Sequence, residues 1–155
     1  MEQLRKAAVT ASVPDVANDV ATEGSRQPAR PAKQIRKHAL LVEATTSSLR
    51  LCREILERSG FETETAKSGI AALTFAREHN PDVIVMDLQL PDVPGREFIS
   101  WVRDIPVLRS TPVIVLAGAS GETADLAKLG PNTLLRRPAS ALVIHRAIRE
   151  AVKLN

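Results

Sequence analysis

One short segment constrains the fold of this chain more than any other. An Asn-Pro-Asp turn at residues 80–82 is followed by the apolar run Val83 to Met86, which ends in the carboxylate of Asp87. Such a run, bounded by turn residues, is typical of a strand that is buried on both faces. Ligands of open parallel sheets lie at the carboxyl ends of these strands. The segment therefore predicts a central strand that presents a carboxylate at the edge where ligands bind.

Turn signals and apolar runs alternate along the chain in the order expected of repeated β-α units. The predicted strands cover residues 39–42, 61–65, 83–87, 112–116 and 133–135, and the predicted helices cover residues 46–59, 68–79, 95–103, 122–129 and 139–153. Aromatic residues make up only 3% of the chain, so Leu, Ile, Val and Ala must fill the core. Five β-α units with short connections predict an α/β fold with a doubly wound parallel sheet.

Basic charge is concentrated at the beginning of the chain. Residues 1–37 contain seven basic and four acidic residues, which account for the whole formal net charge of +3. Proline and glycine interrupt this stretch, which can bury too little apolar surface to offset the entropy of ordering. We predict a flexible, disordered basic leader over residues 1–36 and a folded domain over residues 37–155. The leader is interpreted as a solvated linker, and a weak contact with an acidic partner, nucleic acid or a membrane surface is the alternative.

Residue usage argues against several classes of protein. The single cysteine, Cys52, rules out an intramolecular disulfide, fits a reducing cytosol and is predicted to be a buried apolar residue. The chain has neither the apolar run of about 20 residues that a membrane span needs nor a secretory signal. The three histidines lack metal-ligand spacing. We expect a cytoplasmic protein that binds neither membranes nor, given its neutral domain, nucleic acid.

The surroundings of Asp87 resemble the receiver domain of two-component response regulators. Asp87, Pro91 and Gly95 reproduce the strand-Asp-x-x-x-Pro-x-x-x-Gly context of the phosphoacceptor in that family. The resemblance extends from about His38 to the C-terminus. It implies a flavodoxin-like (βα)5 fold with strand order 2-1-3-4-5 and a site where strands one and three separate. It also implies that a histidine kinase would phosphorylate Asp87 in the presence of Mg²⁺.

The residues that match the family's magnesium ligands are incomplete. The resemblance implies that Mg²⁺ is held by an acidic pair after strand one, by the phosphoacceptor and by a backbone carbonyl two residues later. Glu43, Asp87 and Gln89 match three of these positions, but Ala44 replaces the second acid of the pair. Mg²⁺ requires oxygen ligands in near-octahedral geometry. We therefore expect weak or absent Mg²⁺ binding, and no cofactor unless the site is functional.

Three further positions depart from the family pattern. Ala117 replaces the family's hydroxyl residue that contacts phosphate, Arg137 replaces the lysine near the end of the family's strand five, and Leu134 replaces the family's aromatic switch residue. Arginine is forked and permanently charged, so its exchange for lysine is not conservative. One hypothesis is that Arg137 forms a fixed ion pair with Asp87 and holds the site without phosphate. The alternative is that Asp87 merely ends a strand while Arg137 points into water.

Apolar residues outside the predicted core suggest a partner surface. Trp101 falls where a receiver domain usually exposes a polar residue, and Leu142 and Val143 are surplus to the core face of the last helix. An exposed tryptophan is a typical interface anchor, although Trp101 folded back along the surface is the alternative. The resemblance implies as partners a histidine kinase, a phosphotransferase or another regulator. It also implies that the face formed by the fourth helix, fifth strand and fifth helix of the family fold is a homodimer or partner surface.

Three functional hypotheses remain open at the level of the sequence. The leading one is a degenerate, stand-alone receiver-like protein that is not an enzyme and acts by protein–protein contact. The second is a working single-domain response regulator that is phosphorylated on Asp87. The third is a phosphate or cofactor binder on a similar sheet, which the hydroxyl-rich residues 45–48 would serve at a helix N-terminus. The chain has no glycine-rich phosphate loop, and Thr45 or Thr46 as an N-cap is the simpler explanation of those hydroxyls.

Overall fold

The computed structural model describes residues 36–118, 126–130 and 132–153. Within them, five parallel strands form one sheet in the order β2-β1-β3-β4-β5. The strands are β1 Lys37–Val42, β2 Phe61–Ala66, β3 Val83–Asp87, β4 Val113–Ala117 and β5 Asn132–Arg136. The α-helices are α1 Thr46–Arg58, α2 Gly69–His79, α3 Gly95–Asp104 and α4 Ala141–Ala151, and short 3-10 helices cover Pro106–Leu108 and Leu126–Leu129. The fold class and the strand order expected from the sequence are confirmed.

The central strands divide the core between the two faces of the sheet. In β3, Ile84 and Met86 pack with Phe98 of α3, whereas Val83 and Val85 pack with residues of α1 and α4. All of these strand side chains are fully buried. Successive residues of a strand point to opposite faces, so an uninterrupted apolar run is required where both faces are covered. The helices α2 and α3 thus cover one face, and α1 and α4 cover the other.

Side-chain caps set the starts of two helices slightly later than predicted. The hydroxyl of Ser68 accepts a hydrogen bond from the N–H of Ala71, and that of Ser140 accepts one from the N–H of Val143. Serine at an N-cap has extended backbone angles and stands outside the helix proper. For this reason α2 begins at Gly69 and α4 at Ala141, one and two residues after the predicted starts.

Two predictions fall wholly or partly on residues outside this description. The leader was predicted over residues 1–36, of which only Arg36 is described. The helix predicted over residues 122–129 is described only from Leu126 to Leu129, where it is a 3-10 helix rather than an α-helix. Among the described residues, no helix combines the length and apolar character that crossing a bilayer requires.

Candidate functional site

Two carboxylates meet at the carboxyl edge of the sheet. Strands β1 and β3 are paired in parallel, with Val42 opposite Met86. Glu43 directly follows β1 and Asp87 ends β3, so the register brings both side chains to the same edge. The Glu43 side chain is only 1% exposed and that of Asp87 is 18% exposed. Carboxylates buried to this degree require charged or hydrogen-bonding partners.

Arg137 supplies the cation that these carboxylates share. It follows β5, and its backbone N–H donates to the carbonyl of Ala117 at 2.8 Å. Its Nη2 lies 2.6 Å from Oε2 of Glu43 and 3.2 Å from Oδ2 of Asp87. Its Nη1 donates to Oγ of Ser48 at 2.8 Å. One guanidinium therefore joins β1, β3 and the first turn of α1.

The second oxygen of each carboxylate is held by nearby backbone. Oε1 of Glu43 accepts a hydrogen bond from the N–H of Thr45 at 3.0 Å, and Oδ1 of Asp87 accepts one from the N–H of Gln89 at 2.9 Å. Hydrogen bonds to ionised groups are stronger than those between neutral groups. Each carboxylate thus has one backbone partner and one partner in Arg137, so all four carboxylate oxygens are engaged within the chain.

The structure bears on the sequence hypotheses about this site in four respects. The ion pair between Arg137 and Asp87 is present, so the alternative in which Arg137 points into water is wrong. Glu43 nevertheless makes the shorter contact with Arg137. Ser48 was not predicted as a partner, although it belongs to the hydroxyl-rich segment noted in the sequence. Thr45 occupies the N-cap of α1, but its hydroxyl makes no capping bond; the N–H from which Glu43 accepts is that of Thr45 itself.

The residues at this edge do not fit a magnesium site of the family type. Ala44 offers no side-chain oxygen, and Glu43, Asp87 and the Gln89 carbonyl are the donors that remain. The guanidinium of Arg137 already lies within hydrogen-bond distance of both carboxylates. Mg²⁺ needs oxygen ligands at about 2.0–2.1 Å in octahedral geometry, which this pair does not present. In the described part of the chain, no group of three or more His, Cys, Asp or Glu residues is arranged to hold a metal ion.

Comparison with known proteins agrees with the fold. The family model of the response regulator receiver domain matches residues 39–149. The chain belongs to the response regulator receiver domain family. The polar-differentiation response regulator DivK of Brucella ovis is 38% identical over 106 residues, which cover 67% of this chain and 86% of that protein. DivK of Brucella anthropi is 37% identical over 106 residues.

Solved receiver structures share this fold. A receiver domain protein from Clostridium thermocellum matches with a TM-score of 0.69 and 26% identity, over 76% of this chain and 94% of that one. The chemotaxis response regulator CheY4 of Vibrio cholerae matches with a TM-score of 0.70 and 24% identity, over 75% and 98% of the two chains. The receiver domain of the sensor histidine kinase PA1611 of Pseudomonas aeruginosa matches with a TM-score of 0.68 and 24% identity, over 76% and 98%. In that last structure a magnesium ion is coordinated in the active-site cleft.

Two positions that carry the phosphate-contacting hydroxyl and the aromatic switch residue in the family are both occupied by aliphatic residues here. In this receiver, Ala117 ends β4, is fully buried and carries no hydroxyl. Leu134 lies in β5 opposite Val115 and is exposed. Neither side chain can therefore make a hydrogen bond to a phosphoryl group or to each other.

An apolar cavity of about 380 Å³ adjoins Arg137. It is lined by Ser48, Leu51, Cys52, Leu116, Arg137, Pro138, Ala139 and Ile144. Cys52 is buried as predicted, and the pKa of its thiol is raised, first by desolvation and then by the negative charge of Glu43, with Arg137 acting in the opposite direction. A thiol in this state behaves as a small apolar side chain.

The exposed apolar residues predicted as a partner surface do not form one surface. Trp101 is 38% exposed and belongs to α3, while Leu142 is 65% exposed and neighbours the exposed Val143 in α4. The two helices pack against opposite faces of the sheet. Sequence spacing alone cannot reveal this separation, because it depends on which face each crossover helix covers. Leu51, Ile70 and Val107 are also exposed and were not predicted.

Proposed function

We propose that this receiver domain acts in two-component signalling by binding a partner protein while Asp87 remains unphosphorylated or only weakly phosphorylated. Membership of the family makes it a response-regulatory domain, and such domains exchange signals with histidine kinases and other signalling proteins. The single observation that carries the proposal is the engagement of Asp87 and Glu43 by the guanidinium of Arg137.

Phosphoryl transfer to Asp87 is disfavoured by the electrostatics of the pocket. The reaction needs a divalent ion that neutralises the equatorial oxygens, together with donors that receive the new phosphate. Asp87 Oδ2 is paired with Arg137, and the position of the second magnesium carboxylate is Ala44. A phosphoryl group on Asp87 would also face the buried charge of Glu43, and the two groups would share the guanidinium of Arg137.

The two residues that carry the family's usual response to phosphorylation are replaced in this chain. With Ala117 in β4 there is no hydroxyl to follow the phosphate, and with Leu134 in β5 there is no aromatic ring to change position. A switch requires an element with two arrangements whose populations the signal can shift. We infer that regulation comes from partner binding or abundance, in the cytoplasm, and that the domain has no catalytic activity of its own.

Trp101 is the residue that we propose as the partner anchor. Tryptophan is enriched among the residues that dominate binding energy at interfaces, and Trp101 is the single tryptophan of the chain. Replacing Trp101 with alanine should weaken capture of a cognate histidine kinase, phosphotransferase or other regulator. Leu142→Ala, on the opposite face of the sheet, is the matched control. Equal loss of capture in both variants, or loss only in Leu142→Ala, would point to α4 and the family's dimer face instead.

The rival function is that of a working response regulator phosphorylated on Asp87. The identity to DivK and the intact sequence around Asp87 favour it. The purified protein should be incubated with acetyl phosphate and Mg²⁺ and its intact mass measured, with a phosphorylatable receiver domain as positive control. We expect no stoichiometric gain of a phosphoryl group. A full gain that Asp87→Asn abolishes would establish the rival. The third hypothesis has lost support, because Ser48 and the N–H of Thr45 serve Arg137 and Glu43 rather than a phosphate.

A further inference from the structure

We propose that the guanidinium of Arg137 is a resident cation, which takes the place that Mg²⁺ has in other receiver domains, and that Ser48 positions it. This inference rests on the proposed function, because a pocket without a divalent ion is not phosphorylated efficiently. It makes a separate claim, however, about which group neutralises Glu43 and Asp87. The missing carboxylate at Ala44 is then only half of the reason why the pocket does not recruit an ion.

The charge balance of the pocket is less favourable to a divalent ion than that of the family. In the family, an acidic pair and a phosphoacceptor face one basic side chain, which leaves an excess of two negative charges that one divalent ion matches. In this chain Ala44 removes a carboxylate, so Glu43 and Asp87 face Arg137 with an excess of only one. The attraction for a divalent ion falls accordingly, and the guanidinium also occupies the space between the carboxylates.

The geometry suits a guanidinium better than an ammonium group. Arginine presents its donors in a rigid planar fork, whereas the ammonium of lysine is a single point of charge. Nη1 and Nη2 of Arg137 serve three oxygens on three different elements, namely Ser48, Glu43 and Asp87. A lysine at this position has one nitrogen for the same three acceptors. The exchange of lysine for arginine therefore converts a phosphate-binding cation into one that bridges the two carboxylates of the pocket.

Ser48 supplies the contact that orients the fork. Its hydroxyl accepts from Nη1, which leaves Nη2 aligned with both carboxylates. The Nε of Arg137 is buried without a hydrogen-bond partner within the described residues. Among the described residues, the hydrogen bonds that orient the guanidinium are therefore those of its two terminal nitrogens. Ser48 is thus a positioning residue that acts through Arg137.

The test restores the missing carboxylate with and without Arg137. Three proteins are compared by calorimetric titration with MgCl₂ and MnCl₂: Ala44→Asp, Ala44→Asp with Arg137→Lys, and Ala44→Asp with Arg149→Lys as the matched control. Arg149 is an exposed arginine of α4. We expect the variant that combines Ala44→Asp with Arg137→Lys to bind the ions about 10- to 100-fold more tightly than Ala44→Asp alone. This factor corresponds to one charge-assisted hydrogen bond, which the ion no longer has to displace. The control should bind like Ala44→Asp.

Two outcomes would overturn the inference. Equal affinity of Ala44→Asp and its Arg137→Lys derivative would mean that the missing carboxylate alone explains weak binding. If neither Ala44→Asp nor its Arg137→Lys derivative binds the ions, Arg137 is not the group that prevents ion binding. Either result leaves the proposed function to the separate phosphorylation assay on the unaltered protein, so the failure of the inference can be distinguished from the failure of the proposed function.

Ser48 is tested in the same background with a readout that a purely structural role would not change. Ser48→Ala combined with Ala44→Asp should gain part of the metal affinity, while Ser48→Thr, which keeps the hydroxyl, should not. The melting temperature of each variant, followed with and without MgCl₂, provides a second measure, because a ligand that binds the folded state stabilises it. Ser48→Ala keeps Arg137 and both carboxylates, so it still tests the proposal if the Arg137→Lys variant fails to fold. No gain in Ser48→Ala would remove Ser48 from the proposal.

Discussion

The pairing of Arg137 with Glu43 leads to a quantitative prediction about stability. Replacing Arg137 with methionine preserves much of the side-chain volume but leaves the Glu43 carboxylate, which is 1% exposed, without its cation. Removing one partner of a buried ion pair costs about 3–5 kcal/mol. Because 31% of the Arg137 side chain is exposed and water screens part of the loss, the lower end applies. We expect the free energy of unfolding to fall by about 3 kcal/mol, and the melting temperature by about 9 °C.

Urea unfolding at pH 7, followed by circular dichroism and by the fluorescence of Trp101, measures this change. Arg149→Met is the control, since it removes an exposed arginine from α4 and should alter the free energy of unfolding by less than about 0.5 kcal/mol. Adding Glu43→Gln to Arg137→Met should recover much of the lost stability, because the amide needs no cation. A loss in Arg137→Met no larger than that of the control would refute the view that Arg137 neutralises a buried charge.

Two predictions concern contacts away from the pocket. Asp92 accepts hydrogen bonds from the N–H groups of Ile70 and Gly69 at the start of α2, which lower its pKa. Asp92→Asn should therefore be less stable than the parent protein at pH values above the pKa of an unfolded aspartate. The difference in the free energy of unfolding should vanish as the pH falls through the lower pKa of folded Asp92. Urea unfolding over an acidic pH series measures this difference, and a difference that does not change with pH would contradict the prediction. Gly130 has a φ of +102°, and an added Cβ would meet the Arg103 side chain at 2.5 Å. Gly130→Ala should lower the free energy of unfolding by about 1–3 kcal/mol in thermal denaturation, whereas Gly118→Ala, where a Cβ meets nothing within 4 Å, should have little effect.

Elements with strong apolar patterning were predictable from the sequence, and their ends were less so. The apolar run of β3 and the position of Asp87 follow from local residue order, because a strand covered on both faces needs consecutive apolar side chains. The start of α4 was placed too early, since the capping bond from Ser140 becomes evident only in the structure. The 3-10 helix at Pro106–Leu108 was missed because so short an element has no periodicity to detect.

At the candidate site, the identities of the residues were predictable from the sequence, whereas their contacts were not. The substitutions at Ala44, Ala117, Leu134 and Arg137 could be named from their spacing to Asp87 and the family resemblance. The contacts of Arg137 with Glu43 and Ser48 could not be predicted in this way, because Glu43 is 94 residues and Ser48 is 89 residues away from Arg137 in the sequence. Spacing also grouped Trp101 with Leu142, although their helices cover opposite faces of the sheet.

The sequence by itself determined the α/β class, the central strand and the inventory of side chains at the edge of the sheet, because alternation, apolar runs and turn residues are local properties of a chain. The tertiary structure alone decided which of those side chains meet. Contacts such as that of Arg137 with Glu43 depend on the registers of β1, β3 and β5 and on the reach of one guanidinium across them. The pattern of a strand determines which of its side chains face each side of the sheet, but its partner residues lie on strands far away in the sequence, so which residues meet depends on the packing of the whole sheet.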